Sequence, residues 1–188
     1  MERCLYGAVV LSAGLTGLLS FTLLAVAIGT DYWYIVDVNK PNHTGSDDMS
    51  SHSGLWRIIE GRCLHKVVVI LLPLSLILLV FGWIFGLVSS LACSPKLLAA
   101  SASHFLLCSV FTLSGVSVYI KYSHLAMEEF QRLVHPDSLA YVDVSFGWSL
   151  ASAWLSYSLE VATGLLLLLA ARITQMKGHY DSGVLIFR

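Results

Sequence analysis

Charge is scarce in this chain. Of its 188 residues only 12% are charged while 56% are apolar, and mean hydropathy is +0.75. An average soluble domain carries about 25% charged residues, so the shortfall implies a lipid environment. The formal net charge of −1 offers no basic surface for nucleic acid.

The motifs of catalysis are missing too. Four cysteines at 4, 63, 93 and 108 include no C-x-x-C, which removes a thiol oxidoreductase. The histidines at 43, 52, 65, 104, 124, 135 and 179 form neither H-x-x-x-H nor H-E-x-x-H, and Asp47-Asp48 has no EF-hand frame. There is no G-x-S-x-G and no P-loop. We therefore expect no catalytic residues, no metal and no cofactor.

What the chain has is long apolar runs. Windows 5–28, 67–92, 97–122 and 146–171 are nearly free of charge, and each exceeds the ~20 helical residues that cross a bilayer. The polar remainder is too short for a separate soluble domain. The expectation is one domain spanning 1–188: an all-α membrane protein with four transmembrane helices, polar loops at 29–66 and 123–145, and a weakly structured tail at 172–188. Ala25-Val26-Ala27 resembles a signal-peptidase site. The apolar run before it is nevertheless longer than the usual 7–15 residues of a signal peptide, so we read it as the first span.

An even number of spans puts both termini on one side. That side holds Arg3, Lys96, Arg172, Lys177 and Arg188 with two acids; the other holds six cations with nine acids. Arg3 flanks the first helix, which the positive-inside rule weights heavily. Both termini are therefore expected in the cytoplasm, and the loop with the sequon Asn42-His43-Thr44 outside. A glycosylated Asn42 requires passage through the endoplasmic reticulum, with the plasma membrane as the destination. On this topology Cys63 is an unpaired extracellular thiol. Cys93, at the cytoplasmic end of the second helix, is a candidate for reversible palmitoylation or a small apolar residue at a helix interface.

Small residues recur at helical spacing: Ala13, Gly14 and Gly17 in the first span, Gly82 and Gly86 in the second. In lipid such residues allow close helix approach, within the bundle or against a second copy. Tyr122, Leu125, Ala126, Phe130 and Leu133 continue a helical period past the third span to about residue 133, where His135-Pro136-Asp137 stops it. Segments 32–38, 55–59 and 140–146 are strand-like, rich in aromatic and β-branched residues; together they could form one small sheet over the bundle. Glu160 is the one ionisable residue deep in a span. Charge at mid-membrane costs about 2.5–3.5 kcal/mol. A transporter site would show several such groups, so we expect an interhelical hydrogen bond instead, with Ser156 one turn away.

The loop also carries a family likeness. Trp33 followed by Gly54-Leu55-Trp56 resembles the first-loop motif of the superfamily of claudins, epithelial membrane proteins, peripheral myelin proteins and calcium-channel gamma subunits. Gly29-Thr30-Asp31-Tyr32-Trp33, Leu72-Pro73-Leu74-Ser75-Leu76, Tyr122-Ser123-His124-Leu125-Ala126 and Val144-Ser145-Phe146-Gly147-Trp148-Ser149 look most like its transmembrane protein 114 and 235 branch. The resemblance implies a left-handed four-helix bundle with a small extracellular antiparallel β-sheet. It also implies a role in adhesion, membrane organisation or modulation of a partner membrane protein. The variants are an auxiliary gamma-type channel subunit and a junction-forming claudin; partners would be other membrane proteins, a channel or a second copy among them. The family motif goes on to two cysteines. Here Ile59 stands at the first cysteine position and Cys63 has no mate, which implies a smaller cap. The ending Leu185-Ile186-Phe187-Arg188 also lacks the Tyr-Val scaffold motif of junction-forming claudins.

Overall fold

The computed structural model describes residues 2–38, 50–53, 55, 63–133 and 142–186. Four long helices carry the fold: α1 (Glu2–Gly29), α2 (Cys63–Leu91), α3 (Pro95–Leu133) and α4 (Trp148–Ile186). Each contains a stretch long and apolar enough to cross a membrane: Cys4–Gly29, Lys66–Leu91, Pro95–Glu129 and Trp148–Tyr180. Their outward faces are apolar. Leu11, Leu15 and Ile70 are 70%, 68% and 65% exposed, a surface that water-soluble monomers rarely tolerate in continuous patches. Hydroxyls on those faces are satisfied locally: Ser103, Ser114, Ser152 and Ser158 each donate to the carbonyl four residues back, as a medium without water requires.

A turn at 92–94 joins α2 to α3 as an antiparallel hairpin, with Cys93 in the left-handed region at φ 48°. Three short strands, β1 (Tyr34–Val38), β2 (Ser50–Ser53) and β3 (Val142–Phe146), form one antiparallel sheet in the order β2-β1-β3. Tyr34 is opposite Ser53 on one side and Phe146 on the other; Val36 is opposite Ser51 and Val144. The sheet lies where α1 ends and α4 begins, at the opposite end of the bundle from the α2–α3 turn.

Three boundaries differ from the sequence expectation. The segment paired to β1 on its other side from β3 is Ser50–Ser53, which was not expected to be a strand; of the expected strand at 55–59, Leu55 is at a turn and 56–59 fall outside the described residues. Serine and histidine are poor strand formers, so pairing to β1 overrides propensity here. The second helix starts at Cys63, four residues into what read as loop. The tail does not loosen at Arg172, because α4 runs on to Ile186. Gln175, Met176 and Lys177 are good helix formers and an isolated Gly178 costs only about 1 kcal/mol. Ser182 also donates to the Gly178 carbonyl at 2.9 Å.

The α3 extension past the third span, anticipated from its periodicity, ends at Leu133. Gly17 approaches Thr163, Phe105 and Trp83, while Gly82 and Gly86 lie against Phe105, so these glycines serve contacts inside the bundle; Gly14 has nothing within 4 Å.

Candidate functional site: a braced cap above a polar seam

The sheet is bolted to the helices by the segments on either side of it. Trp33, just before β1, has no exposed surface. Its indole N–H donates to the Ala27 carbonyl at the end of α1 at 2.7 Å, and its ring lies 4.7 Å from that of Tyr119 on α3. A buried tryptophan needs a partner for its N–H, and a carbonyl in the last turn of a helix, which here also accepts from Thr30 Oγ1 at 3.4 Å, supplies one.

The start of α4 is tied to the same segment. Gly147 N donates to Trp33 O at 3.1 Å and Ser149 N to Tyr32 O at 3.4 Å. The Thr30 and Ser149 hydroxyls are 2.8 Å apart. Only glycine fits at 147, because a Cβ there would run into the Tyr32 carbonyl. Tyr32 and Trp148, both partly exposed, bring their rings to 5.9 Å.

Below the cap, one run of hydroxyls and a carboxyl crosses all four helices. Glu160 of α4 is fully buried. The Thr112 hydroxyl of α3 is 3.0 and 3.1 Å from its two carboxyl oxygens, and Ser156 Oγ is 3.5 Å from Oε1. Ser75 of α2 reaches Thr112 Oγ1 at 2.5 Å. On the other side, Ser156 clasps Ser20 of α1: their hydroxyls are 2.9 Å apart and each reaches the other's carbonyl, at 2.8 and 3.0 Å. A lone hydroxyl proton serves one acceptor at a time, so Ser75 donating to Thr112 leaves the Thr112 proton for Glu160. Further rungs tie neighbours in pairs: Thr16 to Thr163 at 2.8 Å, Ser89 to Ser101 at 2.8 Å, and His104 Nε2 to the Leu78 carbonyl at 2.8 Å.

Of the residues singled out from sequence, Trp33 and Leu55 are buried and Glu160 bonds across to another helix. Cys93 is exposed. Cys63 opens α2, with its side chain outside the description, as are Asn42, Gly54 and Trp56 altogether. Among the described residues no three His, Cys, Asp or Glu side chains gather as a metal site. The structural roles of Thr112, Ser75, Ser20 and Gly147 were not anticipated. A signal existed for Thr112: Ser101, Phe105, Cys108, Thr112, Val116 and Tyr119 repeat at three- and four-residue steps, and all are buried.

Comparison with known proteins agrees with this architecture. Residues 61–169, which take in α2, α3, β3 and most of α4, match the family described as PMP-22/EMP/MP20/Claudin tight junction. Among curated proteins, the mouse voltage-dependent calcium channel gamma-5 subunit is 26% identical over 88% of this chain and 71% of its own length. The human gamma-7 subunit is 25% identical over the same shares. The human protein NKG7 is 23% identical over 81% of this chain and 85% of its own length. The four-helix bundle, the antiparallel sheet on one end and a match to more than half of the chain agree, and the protein belongs to the PMP-22/EMP/MP20/Claudin tight junction family.

Proposed function

We propose that this claudin-like membrane protein acts by binding other membrane proteins and not by catalysis, as a gamma-type auxiliary subunit of an ion channel. The observation that carries this is the bracing of the sheet. Trp33, Gly147 and Ser149 fix β1 and β3 to α1 and α4, so the cap is a pre-formed surface whose contact with a partner costs little ordering. The gamma-5 and gamma-7 relatives support the channel reading. The motifs around Trp33, Tyr122 and Gly147 support a place near the transmembrane protein 114 and 235 branch.

In this reading the cap faces outward, Asn42 carries a glycan, both termini are cytoplasmic and the protein resides in the plasma membrane. Arg3 beside the first helix and the sequon support that orientation. Coexpression with a voltage-dependent calcium channel tests the function: current amplitude or gating should change with the wild-type chain. Unchanged currents, together with no channel recovered on the chain after cross-linking at the cell surface, overturn it. Strand formation between contacting transfected cells would instead make it a junction protein. The orientation is tested separately by Asn42→Gln, which should abolish a glycosidase-sensitive mass shift; a wild-type chain without that shift removes the support that the sequon gives.

A further inference from the structure

The end of the bundle opposite the sheet has its own chemistry, which the proposed function leaves unused. We propose that this end is a docking surface for anionic lipid headgroups, formed by Lys96 of α3 with Arg172 and Lys177 of α4.

Depth is the first argument. Gly17, Trp83, Phe105 and Thr163 meet at one level of the bundle. Counting from there, Lys96 lies nine residues from Phe105 and Arg172 nine residues from Thr163, each about 13 Å of helical rise. The two cations therefore share one depth. Arg172 is also twelve residues from the buried Glu160, and Trp148 is twelve residues from it the other way, about 18 Å each. The hydrocarbon core extends about 15 Å from its midplane. With Trp148 at one interface, Arg172 and Lys96 fall in the headgroup layer of the other, and Lys177 just beyond.

Surface continuity is the second. Leu165, Leu169, Met176 and Tyr180 are 57%, 49%, 62% and 80% exposed. At 100° per residue they fall within about 60° of the circumference of α4, and Arg172, also exposed, lies about 20° beyond the edge of that arc. The lipid-facing strip of α4 thus runs on past the hydrocarbon with a cation at its edge. That pattern lets the side chain lay its stem on acyl chains and present its charge to a phosphate. Leu91, 85% exposed, and Leu97 flank the α2–α3 turn beside Lys96 in the same way.

Charge is the third. Beyond Glu160 the only acidic residue of α4 is Asp181, 86–127 contains none, and α1 adds Glu2 beside Arg3, so this end holds two acids. The sheet end, by contrast, carries Asp31, Asp37, Glu128, Glu129 and Asp143. A basic collar at headgroup depth, continuous with a surface already covered by lipid, selects negatively charged lipid, by about five-fold for each cation near the surface.

The test uses the purified full chain in mild detergent, offered equal phosphatidylserine and phosphatidylcholine, with retained lipid read by native mass spectrometry. Wild type should retain phosphatidylserine at least five-fold over phosphatidylcholine at low salt, and the preference should fall as salt rises. The triple variant Lys96→Gln, Arg172→Gln, Lys177→Gln should lose it while melting at the wild-type temperature. A control losing charge at the sheet end, Lys121→Gln with Arg132→Gln, should keep it. Soluble phosphoserine at equal concentration should not displace the lipid. Equal retention of the two lipids, a preference indifferent to salt, or the same loss in the control overturns the proposal. If the triple variant melts lower, Arg172→Gln alone decides, a preference reduced by less than two-fold counting against it.

Discussion

Replacing Thr112 with valine keeps the shape of the side chain and removes the hydroxyl that joins three helices. In the wild type that hydroxyl stands between Ser75 at 2.5 Å and both carboxyl oxygens of Glu160 at 3.0 and 3.1 Å. Valine leaves Glu160 with only Ser156 at 3.5 Å, so a buried carboxyl is left short of a donor at a cost of about 1–3 kcal/mol. With leucine at 160 the same change is cheaper, because the Thr112 proton in that background turns to the Cys108 carbonyl 3.2 Å away and serves no other helix. The cycle through Thr112→Val, Glu160→Leu and the double variant isolates the pair. Interhelical hydrogen bonds in membranes average about 0.6 kcal/mol and reach about 1.7, so the coupling should be three- to about eighteen-fold in the unfolding equilibrium. Equilibrium unfolding of the solubilised full chain, followed through its five tryptophans, measures it. If Thr112→Val costs the same with either residue at 160, the carboxyl does not hold α3 to α4 through this hydroxyl.

The cap can be probed in the same way. Trp33→Phe keeps most of the buried ring but removes the donor to Ala27, and should cost about 1–2 kcal/mol in thermal unfolding; Trp33→Ala should cost about 3–5. Gly147→Ala pushes a methyl group against the Tyr32 carbonyl, where backbone must move. It should lower the melting temperature and open the β1 and β3 junctions to protease, with no effect on the α2–α3 hairpin. Gly82→Ala brings a Cβ to 2.8 Å from the His104 ring, an overpacking cost of about 1–3 kcal/mol. His104→Ala should recover much of it in the double variant, and additive losses would show that the contact is already relaxed.

Part of this fold is legible in the sequence alone, and the reasons differ by element. The spans were readable because lipid demands about twenty apolar residues in a row, a signal that survives ignorance of every contact. Trp33 was singled out by the family motif, and the extension of α3 to Leu133 followed from its period. The strand β2 was not readable: Ser50–Ser53 has no strand propensity of its own, and its pairing exists only because Tyr34–Val38 lies alongside. Gly147 was invisible for a similar reason, since what forbids a side chain there is a carbonyl 115 residues away in sequence. Glu160 drew attention because charge in a span is rare. Its partner Thr112 is one hydroxyl among many, and only the inward repeat from Ser101 to Tyr119 separates it from those that bond back to their own helix.

That distinction matters for how four apolar helices choose one arrangement. Lipid chains are as apolar as leucine, so sliding one helix along another exposes nothing to water. The register must be fixed by groups that cannot slide without losing a partner. Here Ser20 and Thr16 fix α1 on α4, Thr112 and Glu160 fix α4 on α3, and Ser75, Ser89 and His104 fix α3 on α2. A one-residue slide of 1.5 Å would stretch each rung past hydrogen-bond length or turn it off axis, several at once on the pairs that have two. The rungs thus place the end of α1 and the start of α4 at one height, and only at that height can Trp33 reach Ala27 while Gly147 reaches Trp33. The polar seam inside the membrane is, on this reasoning, what sets the geometry of the cap outside it. Weakening Thr112 and Glu160 should therefore loosen the sheet as well as the bundle, which faster hydrogen exchange at β1 and β3 in Thr112→Val would register.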